Sequence, residues 1–216
     1  MMRGWQIDVV FCDGVRLDVL SRRINPPIVN PRRQTFHTHH PSKNSYGGGD
    51  GEAVTETSPL PDPESSPRIK KLIDAEGAST SAGGGVLRLA GLYTLERGAH
   101  NYWLGGGRDI QGRPDGIVNL LHYDDAASAC LAALRTGPSA VSGRTFLISD
   151  GNPMTRMGIC KSAMKSKRYA DREMPKFLGG ASGLIGKTYD GTISDETLGW
   201  KPQYTSFDEF MTSEAI

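Results

Sequence analysis

Cysteine is scarce and scattered: the 216 residues hold three, Cys12, Cys130 and Cys160. Three distant, odd-numbered thiols make neither a disulfide framework nor a CxxC metal clip, so a reducing compartment, the cytoplasm, is the default expectation. No run approaches the ~18 apolar residues of a membrane span. The opening MMRGWQIDVVFC has an arginine and a short apolar run but no small-residue cleavage site, so no secretory signal is read. A charge excess of either sign is also missing. With 25 Lys+Arg against 24 Asp+Glu the net charge is +1, and no global field recruits nucleic acid or an anionic membrane. Apolar side chains make up 37%, enough for one modest core but not for burial along the whole chain. Glycine is what the chain has in excess: 27 residues, where average usage predicts roughly 15.

Composition changes near residue 45. Before it, QIDVVFC (6–12) reads as one short strand ended by Asp13-Gly14, and VRLDVLSRR (15–23) as an irregular helix candidate. Residues 25–44 carry four prolines and no hydrophobic period, and read as loop or disorder. The first 45 residues are basic and acid-poor, which leaves a plastid open as a destination, although they are neither Ser-rich nor amphipathic. His37, His39 and His40 are a candidate metal cluster by residue type, but no partner Cys or carboxylate stands at the spacing of a site, so no metal is assigned.

After residue 67 order returns. RIKKLIDAEG (68–77) is helix-like, with Ile69, Leu72 and Ile73 at i, i+3, i+4 and Gly77 as a stop. VLRLAGLY (86–93), IVNLLHY (117–123) and TFLIS (145–149) read as strands. Between the second and third, Asp124 or Asp125 stands as an N-cap before the helix AASACLAALR (126–135), closed by Gly137-Pro138. MTRMGICKSAMK (154–165) reads as a further helix, and GAHNYWLGGG (98–107) as a short one. Strands this apolar, alternating with helices, predict an α/β fold on a parallel sheet.

Five stretches in this order resemble the C-terminal half of the extended short-chain dehydrogenase/reductase family, also called the NAD-dependent epimerase/dehydratase family. SYGGGDGEAVTETSPL (45–60) is similar to the family's S-x-x-x-YG…TE-x-SP loop, and VLRLAGLY (86–93) to the strand ending in R-x-x-N-x-YGPG. VNLLHYDDAA (118–127) is similar to its HVDD turn into a helix. GRTFLISDGNPMTRMGI (143–159) and LGWKPQYTSFDEFM (198–211) complete the set, which covers roughly 45–212. A subgroup of Rossmann-fold proteins in photosynthetic organisms is the most similar part of the family. The resemblance implies a partial Rossmann-like parallel sheet with flanking helices and a small C-terminal lobe. The organisation expected is a divergent, largely disordered segment over 1–44, the family domain over 45–212 and a tail over 213–216. It also implies NAD or NADP as cofactor and a small-molecule substrate, with Tyr93, Arg88 and His122 as substrate-cleft candidates. His122 corresponds to the histidine of the HVDD turn, expected to be structural.

Two family features are missing. Residues 1–45 contain no strand, glycine-rich turn and helix that would seat a pyrophosphate on backbone N–H groups. The catalytic Tyr-x-x-x-Lys pair is absent: the residues four after Tyr46, Tyr93, Tyr102, Tyr123, Tyr169, Tyr189 and Tyr204 are Asp50, Arg97, Gly106, Ala127, Glu173, Ile193 and Asp208. Aligning Glu76 with the family's following glutamate puts Arg68 and Leu72 at the tyrosine and lysine positions. No catalytic residue is therefore assigned, and no cofactor-binding residue. The strand that brings the family's catalytic serine is replaced by TFHTHHPSKN, read as loop. Val118 and Leu120 stand where the family has arginines before the histidine, which argues against an anionic substrate. GGASGLIGK (179–187) has the G-x-x-G-x-x-G spacing of a nucleotide turn, but neither a preceding strand nor a following apolar helix, and reads as a loop. The reading reached is a divergent or truncated, catalytically impaired member of this family. The rivals are a non-catalytic binding or scaffold protein reusing the fold, and an incomplete product with no function of its own. Apolar strands left at an open sheet edge predict marginal stability or a homo-oligomer that covers the edge.

Overall fold

The computed structural model describes residues 49–180 and 183–214, and the backbone of 7–12 and 34–39. Strands β1 (Ile7–Cys12) and β2 (Gln34–His39) come first, then the two-residue β3 (Ala53–Val54). Helix α1 (Pro67–Ser81) starts where Ser66 accepts a hydrogen bond from the Ile69 amide, with proline in its first turn, where a missing N–H costs nothing. It does not stop at Gly77. An exposed glycine inside a helix costs about 1 kcal/mol, and the inward face of Ile69, Leu72, Glu76 and Ser79 carries α1 one turn further.

The run 86–93 is two strands, β4 (Gly85–Leu89) and β5 (Gly91–Tyr93), broken at Ala90. The run 117–123 likewise divides into β6 (Ile117–Val118) and β7 (Leu120–His122). Asn119 makes the break: its side chain donates to Lys187 O (2.8 Å) and accepts from the Tyr189 amide (2.9 Å). Helix α2 (Tyr123–Thr136) follows directly. Its cap is His122, whose Nδ1 accepts from the Asp124 amide at 3.2 Å, and neither Asp124 nor Asp125 fills that place. It ends at Gly137, whose φ of 87° closes the turn. The single turn α3 (Pro138–Val141) leads to β8 (Thr145–Ile148), β9 (Met154–Thr155) and α4 (Arg156–Ala163). The chain closes with β10 (Thr188–Tyr189), α5 (Thr192–Leu198) and α6 (Phe207–Ser213). A short π-helical segment occupies Asn101–Gly105, inside the short helix expected over 98–107.

The main sheet is parallel throughout, in the order β1-β2-β4-β8. The expected α/β class and Rossmann-like sheet are therefore present. The loop reading of 25–44 is corrected over 34–39, where QTFHTH is a strand between β1 and β4. Its sequence lacks an apolar alternation, but ladders on both flanks supply what propensity does not. His37 and His39 fall in that strand; His40, the candidate helix 15–23 and the rest of 25–44 lie outside the described residues. β5 pairs with β7 in a separate parallel ribbon, and β6 pairs antiparallel with β9.

Among the described residues two large apolar clusters result, beside a small one of Val54 and Leu147. One joins Leu87, Leu89 and Ile148 of the sheet to the alanine face of α2 and to Trp200. The other surrounds Tyr93 with Leu104, Ile159, Tyr169, Phe207 and Met211 and forms the C-terminal lobe. Among the described residues no helix is long and apolar enough to cross a membrane.

Candidate functional site

Parallel sheets offer ligands the crevice beyond the carboxyl ends of their strands. Here Tyr93 and His122 end β5 and β7 and are register partners. Asp150 lies two residues past β8 and is drawn in by its amide, which donates to Leu120 O at 2.9 Å. One turn into α2, Asp125 faces the same place. These four side chains are at most 5% exposed.

A segment we call the strap, residues 199–206 between α5 and α6, covers them. Asp125 holds it from below, one carboxylate oxygen accepting from the Gln203 amide (2.7 Å) and the other from the Tyr204 amide (2.9 Å). Trp200 Nε1 donates to Ser128 Oγ (2.7 Å), and Asn152 Nδ2 to Thr205 O (2.6 Å). The Tyr204 ring lies 3.9 Å from that of His122, and Phe207 and Phe210 meet Tyr93 edge-on at 4.9 and 5.5 Å. Replacing Asp125 by alanine removes two charge-assisted bonds to part-buried backbone. We expect a loss of about 3 kcal/mol in chemical denaturation, with proteolysis beginning in the strap.

The electrostatics are uneven. Burial pushes the Tyr93 hydroxyl far above its ordinary range, and the Asp150 and Asp125 carboxylates add to the effect. Burial holds His122 below its ordinary value, with Asp124 and Asp125 opposing. Asp150 is pushed up to about 7, first by burial and then by Asp125. Its Oδ1 accepts from the Asn152 amide at 2.9 Å. Its Oδ2 and the Tyr93 hydroxyl, both buried, have no hydrogen-bond partner.

Of the three cleft candidates, Tyr93 and His122 come together in this cluster. Arg88 turns to α1 instead, where Nε and Nη2 grip the two oxygens of Glu76 at 2.8 and 2.7 Å in a fork 4% and 7% exposed at its two residues. Arg88 thus holds helix to sheet. Asp150, Tyr204 and the anchoring role of Asp125 were not anticipated. For Asp150 a signal existed: an acid two residues beyond an apolar strand, at the ligand end of a parallel sheet. For Tyr204 there was none, since its partner lies 82 positions earlier.

On α1, Arg68 is exposed and Leu72 is buried, so the positions aligned with the family's proton relay hold no tyrosine and no lysine. Val118 and Leu120 take part in the β6 and β7 pairings, Leu120 at 2% exposure. The glycine-rich stretch 179–187 is irregular where described, followed by the two-residue β10 and the seven-residue α5 rather than an apolar helix. The backbone N–H groups of Ile185 and Gly186, which a phosphate would need, donate instead to Asp50 at 2.7 Å each. Arg113 Nη1 donates to Gly183 O at 3.2 Å.

No protein-family model matches the chain, and no curated protein does. Solved structures do. The chain is similar to a dTDP-glucose 4,6-dehydratase from Bacillus anthracis in complex with NAD (16% identity, TM-score 0.64, 86% of this chain and 61% of that one). It is similar to a UDP-glucose 4-epimerase from Thermotoga maritima with UDP-glucose (19%, 0.64, 84% and 62%). It is also similar to a UDP-glucuronic acid 4-epimerase from Bacillus cereus in complex with NAD (19%, 0.65, 84% and 60%). Identities this low establish the fold alone. The chain spans about three fifths of the length of these structures.

Proposed function

We propose that this chain is a divergent, catalytically impaired relative of the NAD-dependent epimerases and dehydratases, built on the later strands and C-terminal lobe of their fold. The observation that carries the reading is on α1, where the exposed Arg68 and the buried Leu72 stand at the relay positions. Without a lysine to lower a tyrosine's pKa the family's proton transfer has no donor. Two further observations support it. Asp50 fills the loop amides that alone in the sequence have the spacing of a nucleotide turn. The Tyr93–His122 end of the β5–β7 ribbon is sealed by the strap and lined by carboxylates, which suits no anionic substrate.

Calorimetric titration with NAD(H) and NADP(H) tests the proposal. No saturable heat is expected. Micromolar affinity overturns it, and loss of that affinity in Gly183→Val would assign the cofactor to the 179–187 loop.

A further inference from the structure

The cluster under the strap contains more polar chemistry than it satisfies. Buried polar atoms are almost always partnered, yet Tyr93 Oη and Asp150 Oδ2 lack partners within the same cluster. Asp150 is also wired to its cover. Asn152 donates its amide to Asp150 Oδ1 (2.9 Å), and its side-chain Nδ2 donates both to Asp150 O (3.2 Å) and to Thr205 O of the strap (2.6 Å). The charge acting on Asp150 is that of Asp125, the carboxylate gripping the neighbouring strap amides.

We propose that the strap over 199–206 is a proton-controlled cover: it is shut while Asp150 carries a proton and loosens when Asp150 ionises, uncovering His122. With the proton on, Asp150 is a neutral acid, whose burial costs far less than that of a carboxylate. With the proton off, a negative charge sits in a buried cluster with one oxygen unserved, beside Asp125. The titratable groups of the cluster are Tyr93 from β5, His122 from β7, Asp124 and Asp125 from α2, and Tyr204 from the strap. Tyr93 stays neutral because burial and both aspartates raise it, and burial keeps His122 neutral against the pull of Asp124 and Asp125. Asp125 is served by two backbone amides of the strap. Water is what relieves an ionised Asp150, and lifting the strap admits it. The inference needs no cofactor and stands apart from the loss of catalysis proposed above.

Hydrogen exchange at the Gln203 and Tyr204 amides, read across pH after correction for intrinsic rates, tests it on the full chain. In the wild type their protection should fall by about tenfold or more as pH rises through neutrality, one tenfold step being about 1.4 kcal/mol of opening free energy. In Asp150→Asn, which mimics the protonated acid, protection should stay high and flat. The amides of β4 and β8 should hold in both, separating strap opening from global unfolding. Wild-type protection that does not change with pH overturns the proposal without reference to any variant. So does a transition that survives in Asp150→Asn. Binding of a nucleotide cofactor would leave it untouched.

Discussion

Replacing Arg88 by methionine is expected to cost about 3–5 kcal/mol, the range in which breaking a buried ion pair falls. The reason is less the lost attraction than what stays behind. Glu76 is 7% exposed and meets Arg88 through both oxygens. With the guanidinium gone, its carboxylate loses the fork that offset its desolvation. The same logic predicts that Glu76→Leu combined with Arg88→Met recovers most of the loss, since a well-packed apolar pair often equals or exceeds a buried ionic one. A four-way cycle of urea unfolding, with wild type, both single variants and the double, checks this. Equal and additive effects of the two single changes would show that the pair is not coupled.

A second large effect concerns Asp150 and has a definite pH window. Its pKa in the fold is about 7, above the ordinary 3.8. Between those values the folded chain holds a proton that the unfolded chain has released. This group's contribution to stability is therefore full below about pH 4, declines as pH rises, and is lost once pH passes about 7. A shift of roughly three units corresponds to about 4 kcal/mol as an upper bound. Asp150→Asn removes the dependence and should be more stable than the wild type at pH 8 by about 2–4 kcal/mol, with little difference at pH 4. Asp195, pushed up to about 6, acts in the same direction, and the lowered carboxylates of Asp115 and Asp208 in the opposite one. Subtracting the variant's stability curve from the wild type's cancels them all. Equal curves at pH 8 would mean that Asp150 ionises inside the fold as readily as in the unfolded chain.

The sheet was legible where apolar side chains announced it. β4 and β8 are buried almost throughout and, Arg88 aside, almost wholly apolar, as interior parallel strands tend to be, and α2 shows its alanine stripe plainly. β2 was illegible because its place depends on neighbours on either side rather than on its own pattern. The breaks at Ala90 and Asn119 were equally hidden. A continuous apolar run does not show where a strand leaves one sheet for another, and the Asn119 bonds reach 68 and 70 positions along the chain. At the site, Tyr93 and His122 stood out because family motifs flank them, whereas the Arg88–Glu76 pairing could not be read. An arginine in a strand reads as a ligand contact until the helix glutamate facing it is seen. The cap of α2 was assigned to the wrong residue because acidic residues are the commoner cap, and histidine, free to present an unprotonated Nδ1, does the job here.

Helix α6 also shapes how the protein comes into being. Tyr93, Leu104, Leu120 and Ile159 are in place early in synthesis, but Phe207 and Met211, which complete the same cluster, are translated some 90 residues after Leu120. At ~5–20 residues per second that is roughly 4–18 s during which a nascent chain shows a half-built aromatic surface to its surroundings. Holdase chaperones have that interval in which to bind. A message broken upstream of the Trp200 codon would yield a product whose lobe can never close, one for proteases to clear rather than a smaller working protein.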